Sequence, residues 1–121
     1  QTCALPISAL GRRNERRYAE ALRYGDRARV FLEEAFGEDD AFIVPAAAGE
    51  APRGLAWTGD PVFNGFWSLL RTPCTTSPFA TGPGGLPLGV QLVGRFGEDE
   101  ALLAATSWAA RALGISAVRP A

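Results

Sequence analysis

Residues 81–94 read Thr81-Gly82-Pro83-Gly84-Gly85-Leu86-Pro87-Leu88-Gly89-Val90-Gln91-Leu92-Val93-Gly94. Leu88, Val90 and Leu92 alternate with Gly89, Gln91 and Val93, which is the two-residue period of a strand with one clearly apolar face. Thr81–Gly85, rich in glycine, is a turn. The small and β-branched run Cys74-Thr75-Thr76-Ser77-Pro78 before it suits a short partner strand. Together they predict an antiparallel hairpin whose loop is longer than two residues.

Downstream, Glu98–Leu113 predicts a helix. Glu98, Asp99 and Glu100 crowd its first turn, where the helix dipole favours negative charge. Leu102, Leu103, Ala105, Thr106, Ala109, Ala110 and Leu113 supply a broad apolar face with Trp108 near it, and Gly114 is the expected stop. Ile115–Ala121 reads as a loose tail. Upstream of the hairpin, Asp60 before Pro61 predicts a helix cap followed by a first-turn proline. Phe63, Phe66, Trp67 and Leu70 then recur at helical spacing, so this helix is expected to be buried and to end at Pro73. Ala46–Trp57 is a connecting loop, and Asp39–Pro45 is a short buried strand ended by its proline. Arg12–Phe36 predicts a longer helix with an apolar stripe of Tyr18, Leu22, Ala28, Phe31, Leu32 and Ala35. Gly25 weakens its middle and Gly37 is its expected stop. The arginines of this helix lie mostly off the stripe and read as a solvated face rather than an RNA-binding arm.

Composition narrows the chemistry. The chain has 121 residues, 47% of them hydrophobic, with a formal net charge of −1. That suits one soluble domain or a piece of one, able to bury roughly two-thirds of its unfolded surface. Nucleic acid is not an expected partner, since phosphate binding needs a basic excess, and no apolar run has the length of a membrane span. Histidine is absent and every basic residue is arginine. Ser-His and Cys-His catalysis, Schiff bases and Ser-Lys activation therefore cannot be assembled from this chain. Ser77 and Cys74 have no base to activate them, and Cys74 is expected to be a small buried packing residue. Thr81–Gly85 lacks the Gly-Lys-Ser/Thr ending of a phosphate loop. Asp39 and Asp40 lack further ligands for a metal, and Glu33 and Glu34 read as solvent-facing. No catalytic residue, metal site or cofactor is expected.

The first seven residues, Gln1-Thr2-Cys3-Ala4-Leu5-Pro6-Ile7, match the translation of a common short-read sequencing adapter. Residues 1–8 are therefore expected to be a scar of that origin, outside fold reasoning, and the native 5′ end of the gene to be missing. Cys74 is then the single native cysteine. One cysteine closes no intrachain disulfide, which favours a reducing, cytoplasmic setting.

The ordered pieces carry a resemblance. Pro45, Ala51-Pro52, Gly59-Asp60-Pro61-Val62-Phe63-Asn64, Trp67, Leu69-Leu70, Pro73, Pro78, Gly85–Gly94, Asp99 and Leu102-Leu103 together resemble the C-terminal end of the amidase signature family. The likeness runs from about Arg17 to Gly114, and GLPLGVQLVG at 85–94 is its most specific part. It implies an α/β fold, the C-terminal portion of an α/β/α sandwich on a mixed β-sheet, with residues 9–121 part of one such domain. It implies hydrolysis of small-molecule carboxamides to acid and ammonia or amine by a Ser–cis-Ser–Lys triad, without metal or cofactor, in a parent that can be homodimeric. That triad lies upstream of everything here, in keeping with the missing lysine, so this chain alone is expected to be inactive. By the same resemblance Thr58, Gly59, Asp60, Pro61 and Phe63 border the substrate channel. The plain reading stands beside it: Asp60 caps, Pro61 starts the helix and Phe63 is core. Arg71 occupies a position where relatives often carry glycine; it is either exposed or answers a charged substrate group.

Two alternatives stay open at this point. One is a fragment of a tRNA-dependent amidotransferase subunit with the same C-terminal pattern. The other is a free-standing, non-catalytic α/β binding module, which would unfold cooperatively. The fragment reading instead expects poor solubility, with strands Phe42–Pro45 and Leu88–Val93 lacking neighbours and apolar patches left bare.

Overall fold

A computed structural model describes residues 15–115. The adapter-like segment, the first residues of the expected Arg12–Phe36 helix and the tail after Ile115 lie outside the described residues. The elements run α1 (Glu15–Phe36), β1 (Phe42–Pro45), α2 (Gly65–Leu70), β2 (Cys74–Thr81), β3 (Pro87–Val93) and α3 (Asp99–Ala112). The three strands form one antiparallel sheet in the order β1-β3-β2. The α/β class read from the sequence is what these elements build. The expected hairpin is present as β2 and β3, with Cys74 opposite Val93 and Thr81 opposite Pro87 and an irregularity between Pro78 and Ala80.

The pleat of β3 sorts the core into two layers. Leu92 packs with Leu102 and Ala109 of α3, with Ala41 and Ala105 beside them. On this side Thr75 of β2 and Thr106 of α3 share a 2.5 Å hydrogen bond between their hydroxyls. Phe42 pairs with Val93, so it points to the opposite face from Ile43 and Leu92. There Phe42 stacks on Phe36 of α1 at 4.3 Å between ring centres, next to Leu32 of α1 and Leu70 of α2. Helices thus cover both faces of the sheet. Phe36, Leu70, Val93 and Leu102 are the largest fully buried side chains, each worth about 1.5–3 kcal/mol of transfer free energy.

Several sequence expectations need correction. β3 does not lack neighbours: it is the central strand, and the edges are β1 and β2. The expected stripe of α1 is mostly exposed, with Phe31 72% and Tyr18 62% accessible. The side that packs runs through Gly25, Ala28, Leu32 and Phe36, because those positions meet α2 and Phe42. Cys74 is exposed rather than buried, since it sits at the very start of the edge strand β2. Glu33 is not a free surface acid; its Oε2 accepts from Arg95 at 3.0 Å and its Oε1 from the Phe96 N–H at 3.3 Å. Arg29 also leaves the solvated face. Its Nε donates to the Leu70 carbonyl at 2.9 Å and its guanidinium lies 4.9 Å from the Phe96 ring centre.

Helix α2 begins later than Asp60-Pro61 suggests. Asp60 Oδ1 accepts from the Val62 N–H at 3.1 Å, and the Pro61 carbonyl accepts from Asn64 and Gly65 at 2.8 and 3.0 Å. The aspartate side chain thus closes a local turn, and Asn64 is the residue that caps the helix. α2 is only partly buried: Leu70 is sealed, whereas Phe66 and Leu69 are exposed.

Candidate functional site

Four of the five residues implied by the resemblance come together. Thr58, Gly59, Asp60 and Pro61 line a cleft of about 600 Å³, together with the loop from Ala47 to Pro52, Trp57, Asn64, Pro87 and Gly89. Phe63 is half-buried and does not line it. Gly59 sits at φ 102°, a conformation that side chains oppose. Asn64 fixes the start of α2 to the exit of β1 by donating from its side-chain nitrogen to the Ala46 carbonyl at 3.1 Å. Ala46 in turn donates its N–H to the Gly89 carbonyl at 3.1 Å. The cleft is therefore built on the hairpin, and sequence-distant loops are tied to it by backbone carbonyls.

The acid–base content of the cleft is two carboxylates, Glu50 and Asp60. Asp60 is exposed and accepts from Val62; Glu50 is half-buried and accepts from the N–H groups of Gly84 and Leu86. Glu50 has no signal in the sequence, because its partners lie 34 and 36 positions away. Neither carboxylate is hydrogen-bonded to a serine, threonine or cysteine side chain among the described residues. Among the described residues no three of His, Cys, Asp and Glu cluster as a metal site, and no helix is long and apolar enough to cross a membrane.

Arg71 stands at the end of α2. It is exposed, and its backbone lies in the left-handed region at φ 57° and ψ 31°. It closes α2, with Thr72 N–H returning to the Trp67 carbonyl at 3.3 Å. Relief of backbone strain is a physical reason for glycine to suit this position.

A second groove of about 610 Å³ runs between β1 and α3, lined by Ala41, Ile43, Leu92, Ala105 and Trp108 among others. It lies beside the edge of β1, and Trp108 is 66% exposed within it. Seven apolar residues form the buried core, while seventeen large ones are exposed among the described residues. Such a balance leaves wide apolar surface for other polypeptide to cover.

In class, then, this is an α/β chain with a cleft built on its hairpin. No protein-family model matches it. It is 30% identical over 110 residues to a subunit of the glutamyl-tRNA(Gln) amidotransferase from Synechococcus sp. (strain WH7803), over 85% of this chain and 23% of that protein. The chain spans about a quarter of the length of this curated relative. It thus has an amidase-signature-like relative.

Proposed function

We propose that this chain is the C-terminal part of an amidase signature enzyme that hydrolyses small-molecule carboxamides to acid and ammonia or amine. The observation that carries this reading is the ordered match of GDPVFN at 59–64 and GLPLGVQLVG at 85–94, joined to a similarity that covers 85% of the chain. The bare apolar faces of α1 and α3 and the open edge of β1 support it, since more of the same domain would cover them. Parallel pairs that make the parent sheet mixed would come from strands beyond β1 and β2.

In the parent, a lysine acting through a bridging serine takes the proton of the nucleophilic serine. That serine attacks the amide carbonyl and backbone N–H groups hold the oxyanion; the C–N bond then breaks, ammonia or amine leaves with the proton the lysine returns, and water hydrolyses the acyl-enzyme to the acid. The chain has no lysine, and on this reading the two serines and the oxyanion donors belong to the part upstream of it. This chain's part is to hold substrate: Thr58, Gly59, Asp60 and Pro61 form one wall. The name of the relative favours a second reading, in which the parent belongs to an amidotransferase. The two differ in whether the released ammonia is lost to water or passed to an acceptor.

The experiment is an ammonia-release assay on the purified chain with aliphatic and aromatic carboxamides and with glutamine. No release above buffer is expected. Clear turnover would contradict the assignment of chemistry to another part of the parent.

A further inference from the structure

Glu50 stands in the loop that leaves β1, yet its carboxylate is engaged by the hairpin turn. Oε1 accepts from the Gly84 N–H at 2.9 Å and from the Leu86 N–H at 3.2 Å, and Oε2 accepts from the Gly84 N–H at 3.0 Å. Gly82 and Gly84 make room for it. A Cβ built on either would overlap the Glu50 side chain, and the three nearest atoms it would meet all belong to Glu50. The turn is thus a concave set of backbone donors shaped around one carboxylate, the arrangement that binds anions in many proteins. Glu50 lines the same cleft as Asp60 and Pro87, so this contact joins the loop wall to the hairpin wall.

We propose that the Gly82–Leu86 turn is an anion-binding nest filled in cis by Glu50, and that this contact makes Glu50 the positioning residue of the cleft. The positioning role rests on the amide-hydrolase reading above; the nest does not. When the carboxylate is removed, the loop loses its anchor, the cleft loosens, and the vacated N–H groups donate to an external carboxylate instead. In an active parent this raises KM for carboxamides while kcat changes little, because the loss falls on binding rather than on the reacting atoms.

The test is hydrogen exchange at single amides, on this chain or on the longer polypeptide that carries it. Glu50→Ala is expected to speed exchange at Gly84 and Leu86 by about tenfold or more, the size of a lost charged hydrogen bond. Exchange at Gln91 and Leu92 in β3 should hold, and sodium formate should slow the two turn amides in the variant but not in the native chain. Gly84→Ala should speed Leu86 while Glu50 is present and add nothing in the Glu50→Ala background. Where Glu50→Ala loosens β3 as well, Glu50→Gln decides, because it keeps the size and one acceptor. It should then speed the turn amides alone and by less. Native rates at Gly84 and Leu86 in both variants, or equal effects of Gly84→Ala in both backgrounds, overturn the nest. Faster turn exchange with an unchanged KM overturns the positioning role. Finding no amide-hydrolysing parent overturns the preceding reading and leaves the exchange result standing.

Discussion

Replacing Arg71 with glycine should stabilise the chain, and the structure gives the size of the gain. All three helices close on a residue with positive φ. Gly37 follows α1 at 52°, Gly114 follows α3 at 65°, and Arg71 follows α2 at 57°. An L-residue in this region costs about 1–2 kcal/mol, and glycine removes that cost. Glycine also widens the unfolded ensemble, which takes back about 0.4–1 kcal/mol. The Arg71 side chain makes no hydrogen bond or ion pair among the described residues, so nothing further is lost. The net gain is about 0.5–1 kcal/mol, or a rise in Tm of about 2–4 °C for a domain of this size. Urea unfolding followed by tryptophan fluorescence measures it, with Arg71→Ala as the control. Alanine keeps the strained backbone and removes only the charge, so its midpoint should stay near the native one. If alanine stabilises as much as glycine, or if glycine destabilises, the strain argument fails.

Other substitutions follow from the packing. Gly25→Ala should stabilise by about 0.5–1 kcal/mol through helix propensity, because its new methyl would meet Leu69 at 3.5 Å, an ordinary contact; a midpoint shift in urea checks it. Arg95→Ala should cost about 2–3 kcal/mol in the same assay. It removes donors to Glu33 at 3.0 Å and to the Gly37 carbonyl at 2.7 Å, and the cation 4.8 Å from the Phe36 ring centre. Arg95→Lys should recover little of that, since an ammonium lacks the planar fork. Gln91→Leu should be neutral or stabilising by about 1 kcal/mol, because the buried Gln91 Oε1 has no partner among the described residues. A clear drop in Tm would show that this oxygen is in fact satisfied.

What the sequence made legible and what it hid divide along contact distance. The β2–β3 hairpin, α3 with its acidic first turn and the stops at Gly37 and Gly114 rest on local pattern, and each lies where the residues indicate. The cleft was half legible: Thr58–Pro61 are contiguous, so one motif locates them together. Glu50 was invisible because its donors belong to a turn 34 residues on. Glu33 was misread for the same reason, its partner Arg95 being 62 residues away. The start of α2 was misplaced because Asp60-Pro61 opens a turn as readily as a helix, and only the bond from Val62 distinguishes the two. Periodicity on α1 could not show which apolar residues are covered, since that depends on where α2 and β1 arrive.

The genomic DNA upstream of the codon for Ser8 tests the central claim most directly. The expected result is an open reading frame continuing in the 5′ direction, with a lysine followed by a Gly/Ser-rich stretch that carries the two serines. A native start codon at the head of this chain, with no longer frame around it, would contradict the claim that these residues are the substrate wall of a larger amide-cleaving enzyme.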